Sequence, residues 1–331
     1  MSKFVVITSI NYPTQAVKDF SKIAGWQVVV VADLKTPQDW QLEGAKLLTV
    51  EEQKALPFET AKLLPWNHYA RKNLGYLYAI SQRAEFVYET DDDNLPYETW
   101  QQSLPVSAAI DAETYADAGK YMNVYAHFSE KKVWPRGFPL AEVANPKSNL
   151  NATQPQQVSR ANAPILQGLA DLEPDVDAIY RLTVGEQIKF AQKQPVFLNP
   201  GTYCPFNSQN TLWYPEAFPY LYLPGLVPSR VTDIWRGYIA QRFLHQKGQG
   251  MLFCSAGVYQ ERNFHNLMRD FEEELDLYTK TESLVKALDD YDEGYSGMMR
   301  YLSSKGFFQS EEVALFEAWL HDLGSLGVSL A

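Results

Sequence analysis

What most constrains this chain is the alternation, over about its first ninety residues, of short β-branched runs with helix-forming segments. Phe4–Ile10 reads as a strand of the buried type. Pro13 suits a helix's first turn, which predicts a helix over Thr14–Ala24 that Gly25 closes. Trp26–Ala32 is a second strand ending at Asp33, Lys46–Val50 a short third, and Glu51–Leu56 one or two helical turns. Asn67–Gln82 is a longer helix, and Glu85–Thr90 returns to strand. Strand–helix–strand order favours parallel neighbours covered by helices on both faces. The expected fold class is therefore α/β, a Rossmann-like, mostly parallel mixed sheet flanked by helices. In such sheets ligands bind beyond the carboxyl ends of the strands. The polar residues at those ends are Thr8, Ser9, Asp33 and the triplet Asp91, Asp92, Asp93, so one shared cleft is expected there.

Beyond Ser103 the pattern weakens until about Gln194. Tyr121–Phe128 reads as a strand, and Asn145–Asn162, rich in Asn, Gln, Pro and Ser, as a long loop of the lid or acceptor-binding kind. Order returns with a strand at Pro195–Leu198 and a helix over Ser229–Gln246 carrying the apolar stripe Ile234, Trp235, Tyr238, Ile239 and Phe243. A strand follows at Met251–Ser255. The tail from Asn263 reads as helical, with breaks near Gly294–Gly297 and Gly306. A chain of 331 residues fits one large core with an appended part. The predicted division is a main domain over residues 1–262 and a helical extension over 263–331 packed on it.

The triplet lies in F-V-Y-E-T-D-D-D-N, Phe86–Asn94. Three consecutive carboxylates repel one another, and a cation or a dense hydrogen-bond network relieves that repulsion. Hard divalent ions prefer oxygen ligands and leave positions for water or substrate phosphates. Mn²⁺ or Mg²⁺ is thus the expected cofactor, and a diphosphate the expected companion, because the ion offsets charge on a leaving phosphate. An EF-hand is excluded, since its carboxylates alternate around a Gly at the sixth position. In the helix before the triplet, Arg71 and Lys72 are candidates to meet the diphosphate, and Gly75 would let a ligand or backbone approach closely. Asp33 is a candidate partner for a nucleobase or ribose.

Net charge narrows the partners. With 29 Lys and Arg against 40 Asp and Glu, the formal charge of −11 disfavours a nucleic-acid ligand. Two cysteines, Cys204 and Cys254, without C-x-x-C spacing point away from disulfides and thiolate zinc and toward a reducing compartment. The apolar run Phe4–Ile7 is too short for a signal peptide, and no stretch approaches the ~18–20 apolar residues of a membrane span. A soluble, cytoplasmic protein is the expectation.

Taken together these pieces look like a GT-A glycosyltransferase, and more closely the chain resembles the STELLO family of glycosyltransferase-like proteins. The resemblance rests on Y-P-T-x-x-V-K-D-F (Tyr12–Phe20), G-W-Q-V-V-V-V-A-D (Gly25–Asp33), T-P-x-D-W (Thr36–Trp40) and A-R-K-N-L-G-Y-L-Y-A-I (Ala70–Ile80). It continues in W-P-R-G-F-P (Trp134–Pro139), F-N-S-Q-N-T (Phe206–Thr211) and Q-E-R-N-x-H-N-L (Gln260–Leu267). It implies a GT-A-like fold in which Asp91 and Asp93, as a D-x-D motif, handle ribose and metal, with His265 completing the metal shell. It also places Asp233 where inverting GT-A enzymes carry their base. From the residues alone, Asp233 is equally an Asp near a helix start favoured by the helix dipole. Arg262 is a candidate to close on the diphosphate, and Arg136 with Trp134 to face a ligand from the W-P-R-G turn.

A second similarity is to reversibly glycosylated polypeptides, the plant UDP-arabinose mutases. It is carried by Arg136–Pro139, Gly168–Ala178 and Thr232–Gly237. That family has a reactive arginine just after its R-G-Y-P element, whereas Leu140–Val143 here contains none. The leading expectation is a metal-dependent glycosyltransferase moving a sugar from a nucleoside diphosphate sugar, UDP-linked, to an unknown acceptor. A sugar-nucleotide mutase and a non-catalytic nucleotide-binding scaffold are the alternatives.

Overall fold

The computed structural model describes residues 2–261 and 266–330. The apolar runs at the start become parallel neighbours. Strand β1 (Ser2–Thr8) pairs with β2 (Trp26–Val31), and β2 with β3 (Ala45–Leu48). On its other edge β1 takes β4 (Ala84–Thr90), again in parallel. Side chains alternate across these strands. Val6, Val29, Val31 and Val87 enter one apolar cluster, while Val5, Ile7, Val28, Val30, Phe86 and Tyr88 enter the other. Both faces are covered, which is why the sequence shows unbroken apolar runs in place of an in–out pattern.

Among the described residues, the remaining strands are β5 (Asn94–Pro96), β6 (Ala109–Thr114), β7 (Gln154–Ser159), β8 (Ile165–Leu172), β9 (Val196–Leu198), β10 (Asn210–Trp213) and β11 (Met251–Gln260). They extend the same sheet in the order β3-β2-β1-β4-β10-β8-β11-β9-β6-β7, with β5 paired to β11. The α/β fold, a mixed sheet flanked by helices, is thus as expected. Beyond the parallel set β3-β2-β1-β4, strand β10 enters antiparallel to both β4 and β8, while β8 and β11 again run parallel.

Two expectations change. Tyr121–Phe128 is not a strand: Tyr121 makes a single bridge to Tyr203 and Val124–Phe128 is a helical turn. The run is buried almost throughout, so its apolar residues show neither a strand nor a helix period and its hydropathy reads equally well as strand. Within Asn145–Asn162, residues Gln154–Ser159 form β7 against β6. That edge strand is polar because it is largely exposed, and pairing, not propensity, makes it a strand.

The helix Ser229–Gln246 has the predicted bounds. The later helices, Leu267–Glu273, Leu275–Asp289, Tyr295–Ser304 and Ser310–Ser325, are tied into the sheet domain by buried polar anchors. Asp322 accepts from the backbone N–H of Glu59 at 2.9 Å and Thr60 at 2.8 Å. Glu312, fully buried, accepts from the N–H of Gly225 and Leu226 and from the Tyr222 hydroxyl. Glu274 takes the N–H of Ala178 at 2.7 Å and the Arg230 guanidinium. No helix among the described residues is long and apolar enough to cross a membrane.

Candidate functional site

Strands β1, β2 and β4 end together, and their carboxyl ends open on a cavity of about 580 Å³, within the size range of small-molecule sites. Thr8, Ser9, Asp33, Arg71, Asp91, Asp92, Asp93, Arg136 and Asp233 all line it. Residues more than a hundred positions apart are thus gathered into the one cleft that the strand ends predicted.

The three carboxylates of the triplet have different hydrogen-bond partners. Asp91 Oδ1 accepts from Tyr69 Oη at 2.6 Å and from Lys72 Nζ at 3.0 Å. Asp92 turns toward the loop after β1, where Ser9 Oγ and Asn11 Nδ2 (3.1 Å) donate to it. Asp93 Oδ2 accepts from Gln260 Nε2 at 2.7 Å, while its Oδ1 is buried without a hydrogen-bond partner. Burial, and then repulsion from Asp91, pushes the Asp93 carboxyl up to about 6. An orphaned buried carboxylate oxygen is costly, by roughly 1–3 kcal/mol or more, and a cation would remove the cost. Among the described residues no group of three His, Cys, Asp or Glu converges on one point. Two carboxylates fit a hard ion nonetheless, since Mg²⁺-type sites often use one or two carboxylates and take the rest of their oxygens from water and phosphate. His265 and Arg262 lie outside the described residues.

The neighbouring cations are mostly committed. Lys72 is fully buried, and its ammonium donates to Tyr69 Oη, Asp91 Oδ1 and the Thr90 carbonyl (2.7 Å), so it supports the triplet from beneath. Arg71 is held by Gln53 Oε1 (2.8 Å) and the Leu64 carbonyl (3.1 Å) and stacks 3.4 Å over Trp66. Its Nη2 has no partner. Burial lowers the Arg71 guanidinium to about 10, with Asp33 opposing, so it remains charged at neutral pH. Asp33 holds the chain rather than projecting freely: its carboxylate accepts from the N–H of Leu34 (2.7 Å), Asn67 (2.8 Å) and His68 (3.2 Å). It thereby fastens Asn67 at a φ of +54° on the cleft wall.

Gly75 is absent from the cleft lining, and its lack of a side chain serves packing. A Cβ there would come 2.5 Å from Val6 Cγ1 and 2.8 Å from Val31 Cγ2. The glycine lets helix Lys72–Ser81 sit closely on the sheet, and Gly75→Ala should destabilise the fold by about 1–3 kcal/mol in chemical denaturation.

Across the cleft Arg136 is shared by two carboxylates. It pairs with Asp175 in a fork (2.7 and 2.9 Å) and with Asp233 (3.1 and 3.2 Å), and donates to the Arg230 carbonyl. Asp233, 3% exposed, also accepts from the N–H and the hydroxyl of Ser208, both at 3.2 Å. Burial alone would raise its pKa, but Arg136, Arg236 and the Ser208 N–H outweigh burial and hold it below the ordinary carboxylate range. The Arg136–Asp175–Asp233 group carries one net negative charge, so Arg136 orients Asp233 and is not a spare phosphate ligand.

Sequence reasoning missed Tyr69, Asp175, Ser208, Gln209 and Gln260. Four of these five fall inside stretches that carried a family likeness, Gly168–Ala178, Phe206–Thr211 and Gln260–Leu267, which was the available signal. Tyr69 had none.

A family model described as STELLO glycosyltransferases matches residues 230–331. Two Arabidopsis thaliana proteins, described as "Probable glycosyltransferase STELLO1" and "Probable glycosyltransferase STELLO2", are each 30% identical to this chain over 98% of its length. The chain spans less than half of either relative, 44% and 45% respectively. Among solved structures, a crystal structure of a mycobacterial protein aligns over 88% of this chain and 76% of its own, with 10% identity and a TM-score of 0.42. By this sequence relationship, which covers 98% of its length, the chain belongs to the STELLO family.

Proposed function

We propose that the cleft binds a nucleoside diphosphate sugar, UDP-linked, together with Mn²⁺ or Mg²⁺, and that the protein transfers the sugar to an acceptor hydroxyl. The observation that carries this reading is the unpartnered, buried Oδ1 of Asp93 beside Asp91 at the end of β4, in a cleft formed by the carboxyl ends of parallel strands. Both Arabidopsis relatives are described as probable glycosyltransferases, which supports the transferase part of this reading. Asp91 and Asp93 would hold the cation, which when bound offsets the charge growing on the leaving diphosphate. Arg71 lines the cleft on the β2 side and keeps one unpaired donor for a charge-assisted hydrogen bond to the diphosphate.

Asp233 is assigned to the acceptor. It is ionised across the physiological range and fixed in one orientation by Arg136 and Ser208. Its low proton affinity suits late proton transfer, after charge has developed on the sugar.

A thermal-shift screen of UDP, GDP and their sugars, with and without Mn²⁺, tests the reading. UDP at about 100 times its Kd should raise the midpoint by roughly 2–4 °C in the presence of Mn²⁺. Absence of any metal-dependent shift would favour a scaffold that keeps the fold without the ligand.

A further inference from the structure

Two hydroxyls join the carboxylates on opposite sides of the cleft. Tyr69 Oη lies 2.6 Å from Asp91 Oδ1 and 2.5 Å from Ser208 Oγ, and Ser208 Oγ lies 3.2 Å from Asp233 Oδ2. Lys72 closes the near end, donating to Tyr69 Oη at 2.6 Å, to Asp91 Oδ1 at 3.0 Å and to the Thr90 carbonyl at 2.7 Å. That uses all three of its hydrogens.

Each hydroxyl has a single hydrogen to give. With Lys72 donating into the phenol oxygen, two arrangements keep the path continuous. In one, Ser208 donates to Tyr69 and Tyr69 to Asp91. In the other, Tyr69 donates to Ser208 and Ser208 to Asp233. The Ser208 N–H stays on Asp233 in both, at 3.2 Å, so switching moves one hydrogen bond from one carboxylate to the other without moving a heavy atom.

We propose that Tyr69 and Ser208 form a two-state hydrogen-bond relay through which cation and diphosphate binding at Asp91 is coupled to Asp233, making Tyr69 a positioning residue for the acceptor-side carboxylate. This rests on the donor-site reading above. A cation withdraws charge from Asp91 and weakens it as an acceptor, so the relay turns to Asp233 and fixes it when the donor is in place. The coupling is reciprocal: a weaker acceptor at position 233 returns the Tyr69 hydrogen to Asp91, where it competes with the cation.

The experiment is a double-variant cycle with Tyr69→Phe, which keeps the ring over Lys72, and Asp233→Asn, which leaves Arg136 paired to Asp175. UDP with Mn²⁺ is the probe, read by calorimetry. Asp233→Asn should weaken Mn²⁺-dependent UDP binding about five- to tenfold when Tyr69 is present, and only about twofold in Tyr69→Phe, where the through-space effect of the lost charge alone remains. Equal weakening in both backgrounds would overturn the relay. A ligand-free arm separates this from the donor reading: in urea, the unfolding constant of the double variant should depart at least about threefold from the product of the single effects. Additive unfolding also overturns the relay. Non-additive unfolding with no UDP binding to the unsubstituted protein would overturn the donor reading and leave the hydrogen-bond path standing.

Discussion

Glu89→Ala is expected to destabilise the protein by about 3–5 kcal/mol, a large share of the roughly 5–15 kcal/mol that holds a domain folded. Glu89 is fully buried at the penultimate position of β4. Arg236 reaches it in a fork from helix Ser229–Gln246, at 2.7 and 2.9 Å. Trp213 Nε1 donates to it at 2.8 Å, and the Tyr76 hydroxyl donates as well. Alanine would leave a guanidinium 1% exposed without its hydrogen-bonded counter-charge, with only the more distant field of Asp233 to offset the desolvation cost. The control is Glu89→Leu with Arg236→Leu. Removing both charges takes away the cost with the pair, so the double variant should be markedly more stable than Glu89→Ala. Urea unfolding measures all three. A loss below about 1 kcal/mol for Glu89→Ala would mean that the pair does not anchor β4. The position matters for the site because Glu89 is two residues from Asp91, so this pair sets where the triplet leaves the sheet.

Asp233→Asn should have the opposite profile: little effect on the fold and a large one on chemistry. Arg136 keeps its fork to Asp175, and asparagine can still accept from Ser208, so stability should fall by about 1–2 kcal/mol at most. Release of UDP from a UDP-sugar, with acceptor or with water, should fall by about 10²–10³-fold, the usual contribution of a positioned base. Binding of UDP with Mn²⁺ should weaken by no more than about tenfold, because Asp233 is not expected to touch the nucleotide. A loss confined to KM would move Asp233 from the acceptor to substrate binding. Unchanged turnover would remove it from the chemistry.

The half of the sheet built from β1 to β4 was legible because its strands are apolar throughout and its helices carry their own stop signals. The middle of the sheet was not. Strand β8 contains Gln167 and β10 contains Asn210 and Thr211, all buried, and these polar residues interrupt the apolar pattern that marks a buried strand. They tolerate burial because they satisfy one another. Asn210 Nδ2 donates to the Leu169 carbonyl at 2.7 Å, Tyr88 donates to Asn210 Oδ1 at 2.8 Å, and Thr211 donates to the Asn207 carbonyl at 2.6 Å. These partners are distant in sequence except the last, so no local window contains them.

The site divided in the same way. Thr8, Ser9, Asp33 and Asp91–Asp93 follow from where parallel strands end, and all six line the cleft. What each does depends on residues that the sequence does not place beside it. Lys72 looked like a phosphate ligand until its burial and its three acceptors were visible. Arg136 looked free until Asp175 and Asp233 were found on either side of it. Gly75 was expected to admit a ligand or backbone at close range, and what it admits is the sheet, at Val6 and Val31.

In the proposed function, Asp91 and Asp93 hold a divalent cation that carries a nucleoside diphosphate. Calorimetric titration of UDP, with Mn²⁺ and with EDTA, into the unsubstituted protein and into Asp93→Asn measures it most directly. The prediction is binding at least about tenfold tighter with Mn²⁺ than with EDTA, and a metal dependence that disappears in Asp93→Asn while EDTA-condition binding is retained. UDP affinity that is the same with and without metal, or a metal dependence that survives in Asp93→Asn and in the Asp91→Asn, Asp93→Asn double variant, would contradict it.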